Sequence, residues 1–167
     1  LTFNGTTQFL TTTDAGLPVG NATYITLTRT FANPSTYYVF LFYGQLSPTA
    51  SVTLLYGPTT NASSQTTIGV TNSGESFGQI SRSPNLYNLQ VVLKPSSYAP
   101  WYQYINNSLS TNVTIQAGTA LAGTFTIGNG LGYYFSGNMQ ENIIYPVQQT
   151  TNRTGIESNI NTYYTIY

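Results

Sequence analysis

Eight prolines, at positions 18, 34, 48, 58, 84, 95, 100 and 146, divide the chain into short segments. A proline lacks the backbone N–H and fixes φ, so it belongs between regular elements or at a sheet edge. The segments between these prolines are rich in Thr, Val, Ile, Tyr and Phe and are bounded by Gly, Asn and Ser, the pattern of short strands joined by turns. Strands are expected over Thr2 to Leu10, Ala22 to Phe31, Tyr37 to Tyr43, Val52 to Tyr56, Thr66 to Val70 and Glu75 to Ile80. Further strands are expected over Tyr87 to Leu93, Trp101 to Ile105, Val113 to Ile115, Gly123 to Ile127 and Tyr133 to Tyr145, with every proline falling between strands. Tyr37 to Tyr43 is continuously apolar and reads as a central strand covered on both faces. Nothing alternates helix with strand as a parallel sheet requires. The expectation is an all-β, antiparallel two-sheet sandwich.

One segment has a different period. After Pro146, Ile156, Ile160, Tyr163 and Tyr164 recur at helical spacing, and Thr154 with Glu157 three residues on matches a capping box. One short C-terminal helix packed by Ile156 and Ile160 is expected, followed by a strand or tail over Thr165 to Tyr167.

Composition narrows the chemistry. The 167 residues include four Lys plus Arg, four Asp plus Glu, no His and no Cys, and only 5 % are charged, against about 25 % in a typical domain. The missing polarity is supplied by 28 Thr, 16 Asn and 15 Tyr. With 40 % hydrophobic residues and zero net charge, the chain has the means to bury a core and lacks the signature of disorder. It fits a single domain over residues 1–167, and its opening at Leu1 rather than Met leads to the expectation of a mature or excised piece of a longer protein. Without imidazole or thiol there is no zinc site of the usual type, no Ser-His or Cys-His nucleophile pair and no thiol redox chemistry. Arg29, Arg82, Lys94 and Arg153 are scattered, which argues against nucleic acid as a partner. No apolar run approaches membrane-spanning length, so membrane insertion is not expected.

The ends of the chain carry a resemblance. Leu1-Thr2-Phe3-Asn4-Gly5-Thr6-Thr7-Gln8-Phe9-Leu10 is similar to the opening strand of the concanavalin A-like lectin/glucanase superfamily, in its laminin-G and pentraxin-like branch. Phe135-Ser136-Gly137-Asn138-Met139-Gln140-Glu141-Asn142-Ile143-Ile144-Tyr145 resembles the closing strand. Trp101-Tyr102-Gln103-Tyr104-Ile105-Asn106-Asn107 resembles an intervening strand and turn, with Asn107 in place of a glycine. The resemblance implies a jelly roll whose opening and closing strands are neighbours in one sheet, and in which Glu141 is the recurring closing-strand acid.

Glucanases of that superfamily use clustered carboxylates, whereas the acids here are Asp14, Glu75, Glu141 and Glu157, the nearest two sixteen positions apart. A glycosidase needs its two carboxyls roughly 5 to 9.5 Å apart, so hydrolysis would require two of the four to meet in a cleft. No catalytic residue is assigned. Calcium needs six to eight oxygens, several of them charged; Gly128-Asn129-Gly130 and Asn72-Ser73-Gly74-Glu75 read as turns, and neither metal nor cofactor is expected.

Neutral sugars are recognised by an aromatic ring against their C–H face together with amides and hydroxyls. Candidate contacts are Tyr98 in the loop between Pro95 and Pro100, Trp101, and Asn129 and Tyr133 in the glycine-rich stretch Gly128 to Tyr134. Strand alternation places Trp101 with Gln103 and Ile105 on one face, which favours a core position for Trp101. Six Asn-X-Ser/Thr sequons occur, of which Asn61, Asn106 and Asn152 fall in expected turns and are the candidate glycosylation sites.

A surface of hydroxyls and amides resists salt and the proteases that cut at Lys and Arg, as suits proteins outside cells and on virions, and residues 152–164 resemble a helical tail found after such domains in virion proteins. The reading is a non-catalytic carbohydrate-binding attachment module on a virion spike or tail, extracellular, contacting host glycans and other virion or surface-protein subunits, with homo-oligomers among those partners. The alternatives are a structural decoration domain of a capsid or filament, and an adhesin domain on a bacterial surface.

Overall fold

Backbone alternation and turn chemistry build two antiparallel sheets. The computed structural model describes residues 1–13, 21–31, 38–44, 51–57, 65–71, 78–81, 85–94, 99–115, 124–130 and 133–167. The strands are β1 (Thr2–Asn4), β2 (Leu10–Thr13), β3 (Ala22–Thr30), β4 (Tyr38–Gly44), β5 (Ser51–Gly57), β6 (Gln65–Thr71) and β7 (Gly78–Ser81). They continue as β8 (Asn88–Lys94), β9 (Ala99–Ile105), β10 (Ser108–Ile115), β11 (Thr124–Ile127), β12 (Asn129–Gly130), β13 (Tyr133–Tyr134) and β14 (Ser136–Tyr145), with one helix, α1 (Arg153–Tyr164). One sheet runs β1-β14-β3-β8-β9-β10 and the other β2-β11-β4-β5-β6-β7, while β12 and β13 pair by themselves. The all-β jelly-roll sandwich with a short C-terminal helix is therefore the observed architecture, and the opening and closing strands are neighbours, Phe3 standing opposite Gly137.

Several local expectations are corrected or narrowed. Thr2 to Leu10 is two strands in different sheets, because Asn4 Oδ1 accepts the backbone N–H groups of Thr6, Thr7 and Gln8 at 3.0–3.2 Å and turns the chain out of the ladder. Pro100 lies inside β9, opposite Thr114 of β10. It is tolerated there because the β8 ladder ends at Leu93 and Tyr102, so the missing N–H deprives β8 of nothing. Helix α1 starts one residue earlier than Thr154: Asn152 is the N-cap and makes no side-chain cap bond. Glu157 is not a capping residue but is buried and ion-paired with Arg153. Of the two alternatives for Thr165 to Tyr167, the structure has the tail and not the strand; Asn161 Oδ1 accepts the N–H groups of Ile166 and Tyr167 at 2.9 and 3.0 Å.

The first sheet is covered on both faces. On its outer face Ile25, Leu27, Leu89, Val91 and Leu93 form a buried apolar cluster, and Ile156, Ile160, Tyr164 and Ile166 pack onto it from the helical end of the chain. Its inner face carries Tyr24, Thr26, Thr28, Gln90, Trp101 and Gln103, all at most 1 % exposed and none of them charged. Asn142 stands opposite Thr26 and Thr26 opposite Gln90, so neutral polar side chains run in register across β14, β3 and β8. The side-chain amides of Gln90 and Gln103 and the hydroxyl of Thr26 have no hydrogen-bond partner there.

Buried polar groups without partners oppose stability by about 1–3 kcal/mol each. Gln103→Leu is accordingly expected to leave the urea midpoint unchanged or to raise it, and a clear fall would show that the amide is satisfied in solution. The close pairing of β14 with β3 has the opposite sensitivity. A Cβ on Gly137 would lie 2.1 Å from the carbonyl oxygen of Arg29 and 2.8 Å from the Phe135 ring. Gly137→Ala is expected to destabilise by about 1–3 kcal/mol through overpacking, read as a lower urea midpoint at constant slope.

Candidate functional site

Strict alternation along β14 would place Glu141 on the same inner face as the buried Met139. A bulge intervenes: Met139 stands opposite Thr28 but Glu141 opposite Leu27, leaving Gln140 as the extra residue. The added residue reverses the phase, so Glu141, Ile143 and Tyr145 face outward with Leu27 and Ile25, towards α1. Gln140 is exposed and donates from Nε2 to Tyr87 Oη at 2.8 Å.

Between β14 and α1 lies a groove of about 310 Å³ lined by Glu141, Ile143, Asn159, Ile160, Tyr163 and Tyr164. That volume is at the lower end of small-ligand sites, roughly 300–1,000 Å³. Ile143 and Ile160 make its apolar floor. Tyr164 Oη donates to Glu141 Oε1 at 2.7 Å, and this hydrogen bond to a carboxylate pushes the phenol up to about 12, so the hydroxyl keeps its proton at neutral pH. Tyr163 is 80 % exposed and meets Tyr164 edge to face, centroids 4.8 Å apart. The groove thus presents an aromatic ring, a carboxylate and an amide side by side.

The wall formed by α1 is fixed by the only ion pair among the described residues. Arg153 contacts Glu157 within the helix, donates to Asn107 Oδ1 at 3.1 Å, and lies over the Tyr104 ring at 3.7 Å. Asn106 and Asn107 both adopt left-handed backbone, φ 48° and 64°, in the tight turn joining β9 to β10. Burial pushes the Glu157 carboxyl up, and the Arg153 charge only partly counters this.

The residues singled out in the sequence do not converge on this groove. Tyr98 lies outside the described residues, as does Asn61. Trp101 is 1 % exposed on the inner face, with Lys94 Nζ 5.6 Å from its ring centroid; a ring so enclosed is core and offers no plate to a sugar in solvent. Asn129 pairs with Tyr134, and Gly130 with Tyr133, in β12 and β13. Asn129 is half-buried and its Oδ1 has no hydrogen-bond partner. Of the glycosylation candidates, Asn152 is exposed, whereas Asn106 is half-buried with Oδ1 accepting the Leu89 N–H at 2.9 Å.

Among the acids, Glu141 lines the groove, Glu157 is buried under α1, and Asp14 and Glu75 lie outside the described residues. No group of three His, Cys, Asp or Glu side chains is brought together among the described residues. Nor is any described helix long and apolar enough to cross a membrane. Tyr163 was legible in the sequence only as a helical-spacing aromatic, and Glu141 only as a closing-strand acid; the bulge that brings them together has no signal in the alternation.

No protein-family model matches the chain, and no curated protein does. The fold is nevertheless shared with solved structures. A heptameric SAP-like pentraxin from Limulus polyphemus superposes with a TM-score of 0.72 at 15 % identity, over 91 % of this chain and 77 % of that one. The CBM40 domain of the Ruminococcus gnavus IT-sialidase, bound to α2,3-sialyllactose, gives 0.69 at 11 % identity over 92 % of each chain. Domain 4 of the extracellular arabinanase AbnA from Geobacillus stearothermophilus, in complex with arabinotriose, gives 0.66 at 14 % identity, over 93 % and 86 %. The fold is thus the concanavalin A-like jelly roll that the end motifs imply.

The buried Glu157 makes stability depend on pH. Its folded-state pKa is raised, so the protonated form is favoured in the fold; this contribution is full below the ordinary glutamate value of 4.5 and is lost as pH rises through the folded-state value. The unfolding free energy of the wild type relative to Glu157→Gln is expected to fall as pH is raised from 4 through the carboxylate range; a difference that rises instead would mean that the Arg153 pairing outweighs burial.

Proposed function

We propose that this chain is a non-catalytic carbohydrate-binding module that works outside the cell, displayed on a virion spike or tail, and that it takes host glycans in the groove between β14 and α1. The observation that carries the reading is the exposed Tyr163 ring beside Glu141 and Asn159 over a floor of Ile143 and Ile160. A sugar ring has an apolar face for the tyrosine and an equatorial belt of hydroxyls for carboxylate and amide acceptors. Two proteins with this fold are described as bound to a saccharide, sialyllactose in one and arabinotriose in the other. Among the described residues a single carboxylate lines the groove, which supports binding rather than the paired-acid hydrolysis of a glycosidase.

Tyr98 and the Asn129–Tyr133 region are proposed as a separate contact, and Asn61, Asn106 and Asn152 as glycosylation sites. The virion setting is supported by the neutral, hydroxyl-rich surface, 5 % charged, and by the helical end of the chain.

Binding to a glycan array, followed by titration of the best ligand, tests the reading. Tyr163→Ala is expected to weaken affinity between about two- and tenfold, the range of one aromatic contact, with unchanged thermal stability because the ring is exposed. EDTA is expected to have no effect. An array without hits, or a Tyr163→Ala protein that binds as well as the wild type, overturns the assignment of the groove.

A further inference from the structure

We propose that Glu141 makes this groove selective for uncharged glycans that offer neighbouring hydroxyls, and that it turns away glycans ending in a sialic acid or a uronic acid. The inference rests on the reading of the groove as a glycan site and adds the substrate class.

Glu141 is the one charged residue in the lining. Its Oε1 is held by the Tyr164 hydroxyl at 2.7 Å, and no other hydrogen bond engages the carboxylate among the described residues. An ionised carboxylate is an acceptor with about four lone-pair sites, so Oε2 and the open lone pair of Oε1 are left for donors from a ligand. Adjacent sugar hydroxyls are two donors at matched spacing. Tyr164 is the positioning residue: it keeps its proton, and its hydrogen bond to Oε1 fixes the carboxylate while Oε2 and the open lone pair of Oε1 take the ligand's donors.

Among the described residues, no basic side chain lines the groove beside this charge. Arg29 on β3 donates to Asn138 Oδ1 at 2.8 Å and lies 5.2 Å from the Tyr87 ring centroid. Arg153 is committed to Glu157, Asn107 and Tyr104, and Lys94 is 4 % exposed on the inner side of the sheet. Neither Arg29, Arg153 nor Lys94 lines the groove. An anionic sugar entering it meets a like charge and, among the described lining residues, no guanidinium, an arrangement that disfavours binding. The shared fold with a domain that binds sialyllactose does not extend to this chemistry.

The test uses matched pairs of glycans on an array, each neutral oligosaccharide beside its α2,3-sialylated counterpart, probed with the wild type, Glu141→Gln and Tyr164→Phe. The wild type is expected to favour neutral members by about tenfold or more at low salt, with the gap narrowing at high ionic strength. Glu141→Gln keeps the shape and an acceptor oxygen, and is expected to bring the members of each pair within about threefold of each other. Tyr164→Phe is expected to weaken neutral binding several-fold while leaving the preference, because the carboxylate is loosened but still charged. Equal binding of both members by the wild type, or a preference untouched by Glu141→Gln, overturns the selectivity while leaving glycan binding in place. Failure of the wild type to bind any member overturns the glycan reading itself and the selectivity with it.

Discussion

The extra residue at Gln140 is the constraint on which the outer half of the structure depends. A strand is a binary device: each residue points to one face or the other, and one inserted residue exchanges the faces for everything that follows. Before the bulge, Phe135 just ahead of β14 and Gly137 and Met139 within it are buried towards the sandwich interior; after it, Ile143 and Tyr145 join the cluster beneath α1. Without it, Glu141 would be driven between the sheets and the helix would lose two apolar partners. The packing of α1, the groove beside it and the placement of Glu141 follow from that single change of phase.

The helix is held in a way that suits a chain with few charges. Its apolar contacts supply most of the attraction, since Ile156, Ile160, Tyr164 and Ile166 close the cluster of β3 and β8. Arg153 then fixes its direction, bridging the helix to the β9–β10 turn through Asn107 and to the sheet through the Tyr104 ring. A buried ion pair contributes little net stability but specifies geometry, because any other docking leaves Glu157 buried and unpaired. Asn161 performs the corresponding service at the other end, accepting the last two N–H groups and donating to the Tyr167 carbonyl at 2.9 Å.

What the sequence showed, and what it withheld, divides along physical lines. Strand content was legible because β-branched and aromatic runs between turn residues have few other uses, and α1 was legible because Ile156 and Ile160 repeat with a period no strand has. The left-handed Asn107 was legible through its place in the end of the β9 motif. The split of Thr2 to Leu10 was not, because it depends on Asn4 collecting three N–H groups, a local competition invisible to alternation. Pro100 inside β9 depends on where a neighbouring ladder stops. Glu157 matched a capping box by spacing, yet burial beside Arg153 decided its role. The candidate site was the least legible part: Trp101 drew attention as the only tryptophan and is core, whereas Tyr163 and Glu141, twenty-two positions apart, are joined by a bulge and a helix docking angle.

The groove belongs half to a strand paired along its length with β3 and half to a helix whose attachment is tertiary. A molecule seated there touches both, and so adds its binding free energy to the docking of α1 by mass action. Occupancy and the integrity of the chain's helical end are then two readings of one equilibrium. Saturation disfavours the opening of the face that covers Leu27 and Val91, and whatever loosens that face weakens binding in the groove.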